Sequence, residues 1–199
     1  MRSLLLVLLL FRRIAIKRFA SQAAADAFLN DVRDHLLAKR FDEITQLCDS
    51  PPYWSKATPQ LILMALAERG RGIAKLRARL AEQFNTEILA DLEYGLAWIN
   101  TLVKTSPMLG LQGTVLGMIA AFAKIAGRQK SGINPADLAA DISFALWTTA
   151  IGLFIAIPLV IAAAAIQVRI GRLQDSVQKQ LGEFLEMLES VTSEGRRRS

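Results

Sequence analysis

The sequence predicts an all-α membrane protein: two transmembrane helices, with a partial first one at the N-terminus, extended into a cytoplasmic helical bundle. Three observations lead there. Of 199 residues 52% are hydrophobic and 21% charged, with a mean hydropathy of +0.30 and only 12 Gly and 6 Pro; this excludes a disordered, collagen-like or low-complexity chain. Two long stretches, Thr105–Ala123 and Ile142–Ile166, carry no charged side chain. Stripes of apolar residues three and four apart adjoin both stretches, the mark of helices with one buried face.

Residues 1–18 hold an apolar run, Leu4–Phe11, followed by Arg12, Arg13, Lys17 and Arg18. As helix this run rises about 12 Å, too little to cross a hydrocarbon layer of ~30 Å. The basic cluster lies on the wrong side for a signal peptide, and no clear small-x-small cleavage site follows directly. The expectation is a stub of a first transmembrane helix, truncated or entering from one leaflet.

Residues 19–104 are expected to form a cytoplasmic helical region. Within it Ala27, Phe28, Val32, Leu36 and Leu37 recur at helical spacing, Pro51-Pro52 and Pro59 break the chain, Leu61–Ala67 is a further apolar stretch, and Gly70-Arg71-Gly72 is a second break. From Ile73 a stripe of Leu76, Leu80, Phe84, Ile88, Leu92, Leu96 and Ile99 runs without a turn signal into the span at 105–126. That predicts one long helix rising into the membrane. Gln112 is the only strongly polar side chain between Thr105 and Ala123. Residues 127–141, with Gly127, Gly132 and Pro135, are expected as a short external loop. The span at 142–168 begins with a charge-free run of roughly 37 Å as helix, enough to cross with some tilt. In 169–199 the stripe Ile166, Ile170, Leu173, Val177, Leu181, Phe184, Leu185 and Leu188 predicts an amphipathic cytoplasmic helix with a basic tail.

A net charge of +6 and a pI near 9.8 suit nucleic acid or an anionic membrane, and placement decides between them. Arg12, Arg13, Lys17 and Arg18 follow the first segment; Arg169, Arg172 and Arg196–Arg198 follow the last. Flanking spans in this way, they fit the lipid bilayer as partner, disfavour nucleic acid, and put 12–104 and the C-terminus on the cytoplasmic side. Lys124, Arg128 and Lys130 against Asp137 and Asp141 leave the loop nearly balanced. One Cys, Cys48, and one His, His35, support neither a disulfide framework nor an intrachain zinc site; both are expected as ordinary helix residues. No nucleophile constellation, metal cluster or phosphate loop is legible, so no enzyme, metal or cofactor is expected.

The spans carry small and polar residues that an anchor does not need. Gly110, Gly113 and Gly117 occur with Thr114, and Gly113 to Gly117 has the spacing that lets helix backbones approach. Thr148, Thr149 and Gly152 precede Pro158, whose ring removes a helical hydrogen bond and permits a kink. The plain structural reading is that Thr114 and Thr149 bond to the carbonyl four residues back while the glycines pack.

Residues 91–123 and 138–166, with the patterns P-M-L-G-L-Q-G-T-V-L-G-M-I-A-A-F and A-L-W-T-T-A-I-G-L-F-I-A-I-P, resemble the MotA/TolQ/ExbB proton channel family, most closely its ExbB/TolQ branch. The resemblance implies three transmembrane helices extended into the cytoplasm of a bacterium and a homo-pentamer in the inner membrane. It further implies an ExbD/TolR-like single-span partner inside the ring, and proton motive force coupled to transport or envelope work through a TonB/TolA-like transducer. It puts Thr114 and Thr149 on the pore, facing the partner's aspartate, and Pro107, Gly113, Gly117, Gly152 and Pro158 on shared packing positions. One departure stands out: Phe144 occupies the position of the glutamate that the ExbB/TolQ branch carries, and Asp141 that of a glycine. Neither charge-free run holds a group that binds and releases protons at useful pKa. A partner supplies the carboxylate, or Asp141 at the outer mouth is the acid through which protons enter; as a residue near a helix start, Asp141 also reads as an N-cap or solvated charge. The alternative is a non-conducting membrane scaffold of the same fold.

Overall fold

A computed structural model describes residues 2–127 and 135–197. Arg128, Lys130 and Gly132 of the expected loop, and Arg198 of the tail, lie outside them. All described regular structure is helical: α1 (Arg2–Lys17), α2 (Gln22–Leu37), α3 (Phe41–Asp49), α4 (Ala57–Ala67), a 3-10 turn at Arg69–Arg71, α5 (Ile73–Gln83), a π-helical turn at Phe84–Leu89, α6 (Ala90–Gly127) and α7 (Pro135–Arg197). The chain divides into two units, one of Leu96–Ala165 with the start of α1 up to Val7, the other of Leu8–Gly95 with Ile166 onward.

The second unit is built on the predicted stripes. Ser21 caps α2 by accepting the amide of Ala24 at 3.1 Å. At the other end Lys39 takes a left-handed φ of 56°, and the amides of Lys39 and Arg40 return to the carbonyls of Leu36 and His35 at 3.0 and 2.9 Å, closing the helix as a Schellman motif. The buried face of α2 is Ala25, Phe28, Leu29, Val32 and Leu36; the expected Ala27 and Leu37 are exposed, because the face turns by 3.6 residues and favours positions 25 and 29 over 27 and 37. Pro59 does not break the chain. It sits in the first turn of α4, where an absent N–H costs no intrahelical bond. Gly72, at φ 85°, makes the break before α5.

Leu76, Leu80, Phe84, Ile88 and Leu92 are all buried, although they are four residues apart and each such step overshoots a straight α-helix by about 40°. The π turn lies within this stretch, and its extra residue takes up much of the drift. In α7 the stripe Ile166, Ile170, Leu173, Val177, Leu181, Phe184, Leu185 and Leu188 is buried throughout. Phe19, Phe28 and Tyr53 cluster with their rings tilted to one another, 4.8 Å separating the ring centres of Phe28 and Tyr53. One buried polar contact crosses this core, from Thr58 Oγ1 to Gln180 Oε1, with Gln180 Nε2 donating to Ser176 at 3.0 Å.

In the first unit α6 and α7 hold the apolar runs. Only 17% and 28% of their most apolar windows are buried, and large side chains such as Leu109, Phe122, Ile161 and Phe154 (80% exposed) face outward. An outer surface of this kind needs an apolar surround, and a helix satisfies its own backbone there. The expected loop at 127–141 is helical from Pro135 onward, since proline fits the first helical position and Ala136, Ala139 and Ala140 are strong helix formers. The helix α7 runs on through Pro158, as α6 does through Pro107.

Candidate functional site

The seam between α6 and α7 in the first unit brings most of the sequence-derived site residues together, and it is the glycines that allow it. A Cβ on Gly110 would lie 3.0 Å from Thr149 Cα, one on Gly117 2.6 Å from Ala145 Cβ, and one on Gly152 2.8 Å from the Ser106 carbonyl. Each is closer than side chains pack, so the two backbones meet only because hydrogen occupies those positions. Gly113 is matched by Thr148, whose Cβ would be 2.6 Å from an added methyl. The sequence marks Thr148 as a polar residue of the span but gives it no role; a glycine notch in want of a small filler on the facing helix is the signal for one.

At the centre of the seam Thr114 and Thr149 share a hydrogen bond of 2.5 Å. Thr149 Oγ1 also donates to the Gly110 carbonyl at 3.0 Å, and Thr114 Oγ1 lies 3.3 Å from the carbonyls of both Gly110 and Ala145. The carbonyl four residues back is therefore one partner of Thr114, but Thr149 departs from that expectation and, among the described residues, bonds only across the seam, where the close approach of the Gly110 backbone offers it an acceptor. Two hydroxyls supply two protons and four acceptor positions. With Thr149 donating to Gly110 and Thr114 to Thr149, Thr114 Oγ1 keeps acceptor capacity for an outside donor such as a carboxylic acid. The pair itself cannot ionise in the useful range, so it can orient and relay but not store a proton.

Six residues inside α7, Asp141 is no N-cap. Its carboxylate is 19% exposed and faces the Lys124 ammonium, which donates to Oδ1 at 2.8 Å and lies 2.6 Å from Oδ2. Lys124, expected among the loop cations, thus has a carboxylate partner that its spacing in the sequence does not reveal. Phe144 is 67% exposed. Pro107 is half-buried and Pro158 exposed.

His35 and Cys48 lie in the second unit. The His35 Nδ1 is 2.8 Å from Glu43 Oε2, which also meets Arg40 at 2.9 Å, so the histidine has a partner that the sequence did not reveal. Cys48 is fully buried, and burial first, then the neighbouring Asp49 charge, push its thiol up from 9.0 to about 12.

A sequence model of the MotA/TolQ/ExbB proton channel family matches residues 31–179. The Tol-Pal system protein TolQ of Haemophilus influenzae is 35% identical over 104 residues, 52% of this chain and 44% of that protein. Biopolymer transport protein exbB1 of Vibrio cholerae is 33% identical over 134 residues, 61% of this chain and 58% of its own length. TolQ of Pseudomonas aeruginosa is 46% identical over 71 residues, 36% of this chain and 30% of that protein. The matches thus span about half the length of the first two relatives, 44% and 58%.

Proposed function

Because the chain belongs to the MotA/TolQ/ExbB proton channel family, in its ExbB/TolQ branch, we propose that it is the ring-forming stator subunit of a proton-driven machine in a bacterial inner membrane. Copies of the α6–α7 hairpin, five in the ring, surround the span of an ExbD/TolR-like protein. Proton flow past that span is coupled to transport or envelope work through a TonB/TolA-like transducer. The second unit lies on the cytoplasmic side, as the arginines after each apolar run favour.

The observation that carries this reading is the Thr114–Thr149 pair in a hairpin with no ionisable group along either charge-free run. Water-like hydroxyls held at that depth suit a hydrated path, and the proton-binding carboxylate then comes from the partner. Asp141 serves in this account as the outer clasp of the hairpin through Lys124. A second reading, a non-conducting scaffold, draws on Phe144, which stands where the resemblance puts the branch's glutamate and whose side chain cannot carry a proton. Native mass measurement in mild detergent, with the single-span partner co-expressed, tests the proposal. A ring of several copies with the small partner bound is expected, and a monomer that binds none contradicts it.

A further inference from the structure

We infer that the second unit carries a binding site for the phosphate of an anionic phospholipid headgroup, in a cavity of about 350 Å³ lined by Arg18, Arg169 and Arg172 together with Ile14, Ala15 and Phe19. Three cations that share one cavity repel one another, and this lining contains no carboxylate. Among the described residues none of the three guanidiniums makes an ion pair within 4.0 Å. Three neighbouring basic residues are engaged elsewhere: Arg13 pairs with Asp91, Lys17 donates to Gln60 at 3.0 Å, and Lys56 donates to the Arg18 carbonyl at 2.7 Å, tethering that stretch of chain. The Arg169 guanidinium is placed over the Phe11 ring, 4.6 Å from its centre. Planar guanidinium forks suit the bidentate geometry of a phosphate, which an ammonium does not match.

A lipid, and not a soluble phosphate, is the occupant that the placement favours. Arg169 comes three residues after the end of the charge-free run of α7, and Arg18 seven after the apolar run of α1, so both fall at headgroup depth of the leaflet where the spans end. Exposed Ile16, two residues before Arg18 near the end of α1, and exposed Val168, next to Arg169 on α7, offer apolar surface to acyl chains. The inference rests on the membrane placement proposed above and not on proton conduction.

The test is native mass spectrometry of the full chain in detergent, titrated separately with phosphatidylglycerol, phosphatidylcholine and inorganic phosphate. Phosphatidylglycerol should bind in preference to phosphatidylcholine. Changing Arg18, Arg169 and Arg172 together to Gln should weaken its binding on the order of a hundredfold, each cation contributing roughly fivefold. The charge-matched control Arg33→Gln with Lys75→Gln and Arg77→Gln should leave it unchanged. Where the triple Gln variant loses its helical circular dichroism, the triple Lys variant takes its place and should still lose several-fold affinity. Equal binding of the two lipids, equal loss in the control, or displacement of phosphatidylglycerol by millimolar inorganic phosphate would overturn the lipid site. None of these readouts depends on ion flux, so the site and the channel reading fail independently.

Discussion

Gly113→Ala is the sharpest perturbation of the seam. The added methyl would lie 2.6 Å from Thr148 Cβ and 2.9 Å from its Cγ2, and moving such contacts out to the ordinary ~3.5–4.0 Å requires roughly 1 Å of helix separation. Overpacking of this kind costs about 1–3 kcal/mol. Spreading the seam also weakens the hydroxyl bonds that cross it, from Thr114, Thr148 and Thr149, at ~0.6 kcal/mol each. The higher helix propensity of alanine returns at most ~1 kcal/mol, so the net effect is destabilising by about 2–4 kcal/mol. Gly182→Ala is the internal control: nothing lies within 4 Å of a Cβ there, and propensity alone should stabilise by up to ~1 kcal/mol. In thermal unfolding in detergent, followed by helical circular dichroism, the midpoint of Gly113→Ala should fall by roughly 4–16 °C and that of Gly182→Ala should rise by a few degrees. A Gly113→Ala protein as stable as the parent, with Gly182→Ala stabilised as expected, would refute the close crossing.

Asp141→Asn should leave proton flux within about twofold of the parent while loosening the hairpin by ~1 kcal/mol or less, the worth of a partly exposed ion pair; near-complete loss of flux with intact assembly would make Asp141 the acid through which protons enter. Cys48 should resist iodoacetamide at pH 8 in the folded protein and react quickly once denatured, because its thiol is raised to about 12. The sign follows: the raised folded-state value stabilises the protein fully below the ordinary 9.0, and this contribution is lost as pH climbs from there toward 12. A Cys48→Ala variant should lack that part of the alkaline decline in stability.

Much of the architecture was legible because its causes are one-dimensional. Charge-free runs mark α6 and α7, and the Ile166–Leu188 stripe is buried position for position because a straight helix repeats faithfully. The stripe from Leu76 to Leu92 was equally visible, but not the π turn that accommodates it, since repeated four-residue steps also occur within ordinary scatter. Gly110, Gly113, Gly117 and Gly152 announced a close crossing without saying what fills it; Thr148 emerges only when the register of α7 against α6 is known. The same holds for Lys124 with Asp141 and for His35 with Glu43, pairs between residues of different helices whose mutual placement sequence spacing does not specify. Pro59 misled for a local reason, because proline is disruptive inside a helix and harmless in its first turn.

The most direct test of the central claim is proton flux into liposomes containing the complex of this chain with its single-span partner, comparing the parent with Thr114→Val plus Thr149→Val. Valine keeps the volume of the seam and removes both hydroxyls. Flux should fall below about a tenth of the parent value while the mass of the assembly is unchanged; undiminished flux in the double variant would contradict a hydroxyl-lined proton path.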